Sequence, residues 1–215
     1  MGIAIPQVVT EDRASGAQII DGSLKFDQAN SQHLTRTFGA GNRRTWTHSS
    51  WVRQGDFGRK KSFFMVGPSS GLSNSNYLSL DFDDNDKLRY AGGGENYKVT
   101  SQVFRDTGWY HVVWTCDTTE AAAVDRTKIY VNGELITDWS TSSSNPTQNY
   151  DLPYNENGVV HRIGTSTPYN GDREWNDAMS QVYFIDGQAL TADSFGFTDP
   201  LTGTWRPKKY TGTFT

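Results

Sequence analysis

Residues 108–116 read Gly-Trp-Tyr-His-Val-Val-Trp-Thr-Cys, and residues 128–133 read Lys-Ile-Tyr-Val-Asn-Gly. In the first segment, apolar side chains occupy both alternating sets of positions, which is typical of a central strand that is covered on both faces. The second segment is a β-branched and aromatic run that ends in Asn132-Gly133, the strongest short signal for a tight hairpin. The two segments therefore predict β-structure with at least one buried central strand.

The rest of the chain shows the same preference for short strands. Leu78, Leu80 and Phe82 alternate with polar residues, and Asp83-Asp84-Asn85-Asp86 follows them as a predicted hairpin tip. Turn-forming residues separate such runs, and the chain contains 21 Gly beside 7 Trp, 10 Tyr and 11 Phe. A helical turn is expected only near residues 190–195. Many short strands at regular spacing predict an all-β sandwich or barrel.

Length, charge and cysteine content narrow the class of protein. The 215 residues suffice for one large β-domain with a sizeable core. The formal net charge of −4 argues against a nucleic-acid-binding surface, and no apolar run is long enough for membrane insertion. Cys116 is the single cysteine, so no internal disulfide is expected, and residues 1–10 show no secretory signal. These features favour folding in a reducing compartment.

Several segments together resemble the laminin G-like branch of the concanavalin A-like lectin/glucanase superfamily. The combination of Trp109-Tyr110-His111-Val112 with Tyr130-Val131-Asn132-Gly133 is specific for this resemblance. The segments that carry it are residues 23–27, 33–34, 46–52, 108–113, 128–133, 162–164 and 182–190. The resemblance implies an all-β fold, an antiparallel two-sheet jelly-roll sandwich.

The sequence is expected to divide into three parts. Residues 21–198 are expected to form the jelly-roll domain. Residues 1–20 are expected to form an N-terminal arm that acts as a docking segment, and residues 199–215 an extended C-terminal tail that leaves the domain.

A narrower resemblance points to a biological setting. Residues 10–18, 104–106, 184–188 and 205–210 look like laminin G-like domains in structural proteins of tailed bacteriophages. The resemblance implies a virion protein of a tail or capsid fibre or appendage, assembled in the host cytoplasm. Its partners would be other virion proteins, further copies of the chain and a host-surface polysaccharide. The single cysteine agrees with such a setting, because disulfides are rare in the cytoplasm.

Catalytic residues are not expected. The glucanases of this superfamily use two or three carboxylates on one strand face, where one attacks and another donates a proton. None of the six glutamates has a partner carboxylate two or four residues away on an apolar strand. We therefore expect no catalytic residue and no enzymatic activity, with a polysaccharide-cleaving enzyme of altered carboxylate pattern as the alternative.

A bound metal is likewise not expected, although one calcium candidate stands out. Asp81, Asp83 and Asn85 have the alternating oxygen spacing of a calcium loop, but the glycine of a sharp loop is missing. The four histidines show no metal-like pairing. His48 is expected to face the core, and Cys116 to act as a small buried hydrophobe.

Carbohydrate binding is the chemistry that the loops favour. A sugar ring needs an aromatic platform beside hydroxyl, amide or carboxylate groups. The loops offer such mixtures at Tyr97, Trp139, Tyr150, Tyr154, Tyr169, Asn170 and Trp175, which we take as the candidate glycan ligands. The alternative is that these aromatic side chains cover the ends of the sandwich or a subunit contact. Two roles therefore remain open, adhesion to host-surface glycan and a purely architectural connector or decoration.

Overall fold

The computed structural model describes residues 17–18, 20, 22–94, 96–143, 145–166 and 173–214. Regular structure in this part of the chain is almost entirely antiparallel β-sheet, with short 3-10 turns between some strands. Among the described residues, no helix is long and apolar enough to cross a membrane. The predicted fold class is confirmed, because two large antiparallel sheets stack on each other.

The predicted central strand lies in the middle of a six-stranded sheet. In spatial order the strands are β1 (Leu24–Lys25), β13 (Ala178–Asp186), β3 (Thr45–Arg53), β8 (Trp109–Asp117), β9 (Thr127–Val131) and β10 (Glu134–Leu135). Strand β8 pairs with β3 along its whole length and with β9 on its other side. Both faces of β8 are covered, since Trp114 packs in the core between the sheets and Val113 packs on the opposite face.

The second large sheet has seven strands. In spatial order they are β11 (Trp139–Ser142), β7 (Asn96–Val103), β6 (Lys87–Gly92), β5 (Leu78–Phe82), β4 (Lys61–Gly67), β12 (Val160–Ile163) and β2 (Leu34–Thr37). The run from β4 to β7 is a meander of consecutive hairpins. Leu78, Leu80 and Phe82 face the core as the alternation predicts, because successive side chains of a strand point to opposite faces.

Aromatic rings dominate the core between the two sheets. Trp46 of β3 meets Trp114 of β8 edge to face at 5.0 Å, and stacks on Tyr154 at 4.2 Å between ring centroids. His48 is only 1% exposed, and its ring stacks on that of Phe64 in the other sheet, with 4.4 Å between ring centroids. The expectation that His48 faces the core is confirmed.

The predicted turns occupy their expected places. Asn132 and Gly133 have φ angles of 50° and 87°, the left-handed pair that a two-residue hairpin between β9 and β10 requires. The tip between β5 and β6 closes through Asp83, whose carboxylate accepts backbone N–H groups from Asn85 and Lys87 at 2.9 Å each. The helical turn near residues 190–195 is a 3-10 turn, Ala192–Ser194.

The C-terminal segment differs from the extended tail that the sequence predicted. Strands β14 (Gly196–Thr198) and β15 (Trp205–Pro207) form a small hairpin that lies on the outer face of the six-stranded sheet. Tyr210 is buried there and stacks on Phe195 at 5.2 Å. The physical reason is the apolar outer face of β8 and β13, which the C-terminal aromatic side chains remove from water.

The predicted N-terminal arm, residues 1–20, falls mostly outside the described residues. At its described end, the backbone N–H of Gln18 donates to the carbonyl oxygen of Pro207 at 3.0 Å. The amide of Gln18 also donates to the side-chain oxygen of Gln181 on β13 at 3.3 Å.

Candidate functional site

Two of the predicted glycan ligands belong to the core. Tyr154 is 1% exposed and Trp175 is fully buried. Tyr154 stacks on Trp46, and Trp175 meets Phe63 edge to face at 5.6 Å. The prediction that Tyr154 and Trp175 bind a glycan is therefore wrong, because their loops fold across the ends of the sandwich and bring the rings inside.

The other predicted ligands do not form one cluster. Tyr169 and Asn170 lie outside the described residues. Tyr97 is half-buried on the outer face of the seven-stranded sheet, with the Arg89 guanidinium 5.7 Å from its ring. Tyr150 packs partly against the main core. Trp139 is the predicted residue that lines a groove.

This groove, which we call the Trp139 groove, lies at one lateral edge of the sandwich. There the chain leaves β10 of one sheet and enters β11 of the other, so the two edge strands β10 and β11 flank an open cleft of about 400 Å³. Such a volume falls within the range of small-molecule sites. Its principal lining side chains are Lys98, Asp125, Lys128, Leu135, Trp139 and Asn145.

Trp139 forms one wall of the groove. It begins β11, opposite Thr100 of β7, and its partly buried ring packs against the main core. A bulge between Trp139 and Thr141 shifts the pairing register of this edge strand. Bulges re-aim side chains at sheet edges, and here the bulge lies directly beside the ring that lines the groove.

A nearly buried ammonium group accompanies this ring. The Nζ of Lys98 lies 5.2 Å from the centroid of the Trp139 ring and donates to the Asn145 side-chain oxygen at 2.6 Å. Only 7% of Lys98 is exposed, and this burial lowers the pKa of its ammonium. None of the ion pairs between described residues involves Lys98. Its ammonium group contacts the neutral amide of Asn145 and the aromatic ring of Trp139 instead.

An ion pair supplies the polar groups of the other wall. Lys128 donates to the Asp125 carboxylate at 2.9 Å, and this hydrogen bond raises the pKa of the lysine. Val124 and Leu135 are exposed beside the pair, at 69% and 42% of their areas. The groove thus combines apolar surface with hydrogen-bond donors and acceptors, which is the combination that a sugar ring requires.

The chemistry of the groove is that of a binding site. Asp125 is the one carboxylate among its described lining residues, and it is held by Lys128. Glycoside hydrolysis by the usual route needs two carboxyl groups facing one another across the scissile bond. The groove offers a single, paired carboxylate instead.

The calcium candidate does not fit the structure. Asp81 is buried, and both of its oxygens accept from the Arg89 guanidinium, at 2.5 and 2.7 Å. Asp83 closes the hairpin tip, and the side-chain N–H of Asn85 donates to the Asp84 carboxylate at 3.3 Å. Among the described residues, no group of three or more His, Cys, Asp and Glu side chains is arranged to hold a metal. Of the calcium candidates Asp81, Asp83 and Asn85, the two carboxylates are thus engaged by Arg89 and by the backbone of the hairpin tip.

The buried histidines and the cysteine are structural. Burial lowers the pKa of His48 and of His111 to about 3, and that of His161 to about 4. Burial raises the pKa of the Cys116 thiol, which lies in the main core. Cys116 is a buried hydrophobe, as predicted.

Sequence reasoning missed the polar residues of the Trp139 groove. Lys98 and Lys128 lie inside strands, Asp125 ends the 3-10 turn Ala123–Asp125, and Asn145 lies in the loop that follows β11. One sequence feature could have indicated Lys98, because it follows the aromatic Tyr97 within a strand.

The comparisons with known proteins agree with this architecture. A laminin G family model, described as concanavalin A-like lectin/glucanases superfamily, matches residues 17–194. Among curated proteins, a search finds no significant match to this chain.

Solved structures share the fold at low sequence identity. A putative carbohydrate-binding protein from Bacteroides ovatus has a TM-score of 0.56 and 20% identity, over 80% of this chain and 44% of that chain. Domains LG4-5 of the mouse laminin alpha1 chain give 0.54 and 14%, over 90% and 48%. A heptameric SAP-like pentraxin from Limulus polyphemus gives 0.51 and 16%, over 82% and 76%. The chain spans less than half of the Bacteroides and mouse chains. With its two stacked sheets and the family match over most of its length, this chain belongs to the concanavalin A-like lectin/glucanases superfamily.

Proposed function

We propose that this chain is a non-catalytic, lectin-like domain that binds carbohydrate in the Trp139 groove. The observation that carries the proposal is the juxtaposition of Trp139, Lys98 and Asn145 at the sandwich edge. The indole offers an apolar surface for the C–H face of a sugar, and the ammonium and amide offer hydrogen bonds to its hydroxyl groups. The similar fold of the putative carbohydrate-binding protein from Bacteroides ovatus supports the same ligand class.

The biological setting of the proposal is a bacteriophage virion. We infer a structural protein of a tail or capsid fibre or appendage, which adheres to host-surface polysaccharide and assembles in the host cytoplasm. Support comes from the resemblance of residues 104–106, 184–188 and 205–210 to phage laminin G-like domains. The chain would contact other virion proteins and further copies of itself, and the heptameric state of the pentraxin from Limulus polyphemus supports self-association within this fold.

A glycan array followed by calorimetry tests the binding activity. The wild-type chain is expected to bind at least one immobilised bacterial polysaccharide, and Trp139→Ala to weaken that binding about 10-fold or more. Lys98→Met keeps the length of the lysine stem while removing the ammonium, and is expected to weaken binding as well. Leu201→Ala is the matched control, because Leu201 is 78% exposed and does not line the groove.

Three outcomes separate the proposal from its alternatives. The absence of any glycan binding would leave the architectural role as the better account, and binding that is insensitive to both Trp139→Ala and Lys98→Met would refute the Trp139 groove as the site. Release of reducing ends from a bound polysaccharide would instead identify an enzyme.

Labelling of virions with an antibody to this chain in electron micrographs tests the proposed virion setting, and particles without label would refute it.

A further inference from the structure

A second aromatic pocket lies on the outer face of the six-stranded sheet, formed by residues other than those of the Trp139 groove. We call it the tryptophan pocket. It is open to solvent, has a volume of about 450 Å³, and is lined principally by Ser23, Trp51, Trp109, Ser180, Trp205 and Arg206. Three indole rings, from Trp51, Trp109 and Trp205, thus concentrate aromatic surface around one small pocket.

The rings form an ordered row across the strands. Trp51 of β3 lies directly opposite His111 of β8, and their rings stack at 4.9 Å with an interplanar angle of 20°. The Trp205 ring is also nearly parallel to that of His111, with 6.0 Å between ring centroids and an interplanar angle of 19°. The floor of this face is thus built from nearly parallel aromatic rings, two from the six-stranded sheet and one from the small C-terminal hairpin.

Trp205 is held in place by three separate features. Its Nε1 donates to Nδ1 of the buried His111 at 3.0 Å. The ring also lies against the backbone at Gly133 and at Gly196, where a Cβ atom on either glycine would overlap the indole. A ring held in this way loses little conformational entropy when a ligand binds, which is the advantage of a preorganised site.

Trp109 completes the pocket from the edge of the sheet. It begins β8 and keeps 39% of its area exposed, so its apolar surface remains available to a ligand. Polar groups surround the rings. Ser180 lies at the pocket wall, where its hydroxyl donates to the carbonyl oxygen of Gly22 at 3.0 Å. The Arg206 side chain, whose Nε lies 3.6 Å from the Asp199 carboxylate, is 41% exposed. Arginine presents several donors in a fixed plane, which suits ligands with several hydroxyl oxygens.

From this geometry we propose that the tryptophan pocket is a second carbohydrate site, which takes a single neutral hexopyranose ring. The C–H face of the sugar packs against the indoles of Trp109 and Trp205, and its hydroxyls receive hydrogen bonds from Arg206. The pocket goes beyond the proposed function, which assigns one groove, and rests on it only for the ligand class. Two independent sites would make each chain bivalent toward a polysaccharide, and bivalency raises avidity without new contacts.

Nuclear magnetic resonance of the indole N–H groups tests the two sites separately. The intact chain is labelled with ¹⁵N-tryptophan, and the indole signals are assigned through single Trp→Phe variants. It is then titrated with the methyl glycosides of glucose, galactose and mannose. The signals of Trp109 and Trp205 are expected to shift together with at least one glycoside, in a saturable manner.

Trp109→Ala is the decisive variant, because Trp109 is partly exposed at a strand end and its removal spares the core. We expect Trp109→Ala to raise the dissociation constant measured from the Trp205 signal about 10-fold. Arg206→Gln is expected to weaken binding in the same direction. Val103→Ala, at an apolar position of similar exposure in β7, serves as the matched control.

The outcomes for the two sites are distinguishable. Shifts at Trp139 without shifts at Trp109 and Trp205 would overturn the tryptophan pocket and leave the Trp139 groove intact. Shifts at Trp109 and Trp205 alone, abolished by Trp109→Ala, would support the pocket and count against the groove. If none of the three glycosides shifts any of these tryptophan signals at millimolar concentration, the result would count against both sites.

Discussion

The indole Nε1 of Trp205 donates a hydrogen bond to Nδ1 of His111 at 3.0 Å, and thereby joins the C-terminal segment to the central strand β8 of the six-stranded sheet. Because Nδ1 accepts this bond, the proton of the neutral imidazole resides on Nε2, which lies 2.9 Å from the Ser49 hydroxyl oxygen. The buried histidine therefore serves as a connector that works only in its uncharged form.

Acid is expected to destabilise the fold well before its carboxylates are protonated. Burial lowers the folded-state pKa of His48 and His111 to about 3, from 6.5. The unfolded chain therefore binds more protons between these values, so the stability is fully present above pH 6.5 and is lost as the pH falls toward 3. Each histidine contributes a slope of up to about 1.4 kcal/mol per pH unit in this window.

Thermal unfolding between pH 8 and pH 4 measures this effect. His111→Asn should flatten the acid limb of the curve, whereas His33→Gln, at an exposed position, should leave it unchanged. A melting temperature that is constant from pH 7 to pH 4 would contradict the prediction.

Removing the Trp205 ring should release the C-terminal segment. Trp205→Ala deletes both the ring contacts with the small hairpin and the bond to His111, and we expect a loss of about 3 kcal/mol in the free energy of unfolding. Trp205→Phe keeps a ring and removes the indole N–H, so about 1 kcal/mol is expected. Urea denaturation gives both values. Limited proteolysis should cleave the Trp205→Ala variant within the released segment, on the C-terminal side of residue 199. Equal stability of wild type and Trp205→Ala would show that the segment is not anchored by this ring.

The glycine at position 133 should be more sensitive to substitution than a comparable turn glycine. Gly133 has a φ of 87°, and a Cβ there would lie 2.5 Å from the Trp205 ring. Gly187 has a φ of 71° but open space around it. Gly187→Ala is expected to cost about 1 kcal/mol for backbone strain alone, and Gly133→Ala to cost clearly more because the indole must also move. Equal losses in urea denaturation would mean that the ring yields freely.

The buried ion pair of Asp81 and Arg89 should be far more sensitive than the neighbouring hairpin tip. Asp81→Ala leaves a buried guanidinium without its bidentate partner, so a loss of about 3 to 5 kcal/mol is expected. Asp84→Ala, at the exposed tip 3.8 Å from Lys60, should change stability by less than about 1 kcal/mol. Since Arg89 occupies the Asp81 carboxylate, millimolar calcium or a chelator should leave the melting temperature unchanged. A rise with calcium that Asp81→Ala abolishes would reinstate the metal site.

Much of the fold follows from local patterns. The alternation of Leu78, Leu80 and Phe82 placed them correctly on the core face, and Asn132-Gly133 placed the hairpin. These features are readable because side-chain direction alternates along a strand and because left-handed turns require particular residues.

The candidate site was far less readable. Trp139 and Trp175 are both tryptophans near polar, turn-rich sequence, yet one lines a groove and the other is fully buried. Their sequence neighbourhoods do not distinguish them, because burial depends on where each connection runs over the sandwich. Lys98 and Asn145 meet only because the edge strand β11 and the loop after it return alongside β7.

By itself the sequence determined short β-strands joined by turns, in a sandwich or a barrel, since periodicity and turn chemistry are local properties of the chain. The resemblance to the lectin superfamily implied the antiparallel two-sheet sandwich. Tertiary structure alone decided which aromatic rings face water, that the C-terminal segment covers the outer face of the six-stranded sheet, and that Trp205 stands beside His111. The physical reason is that burial and hydrogen bonding between distant segments depend on the path of the whole chain, and no window of sequence contains that path.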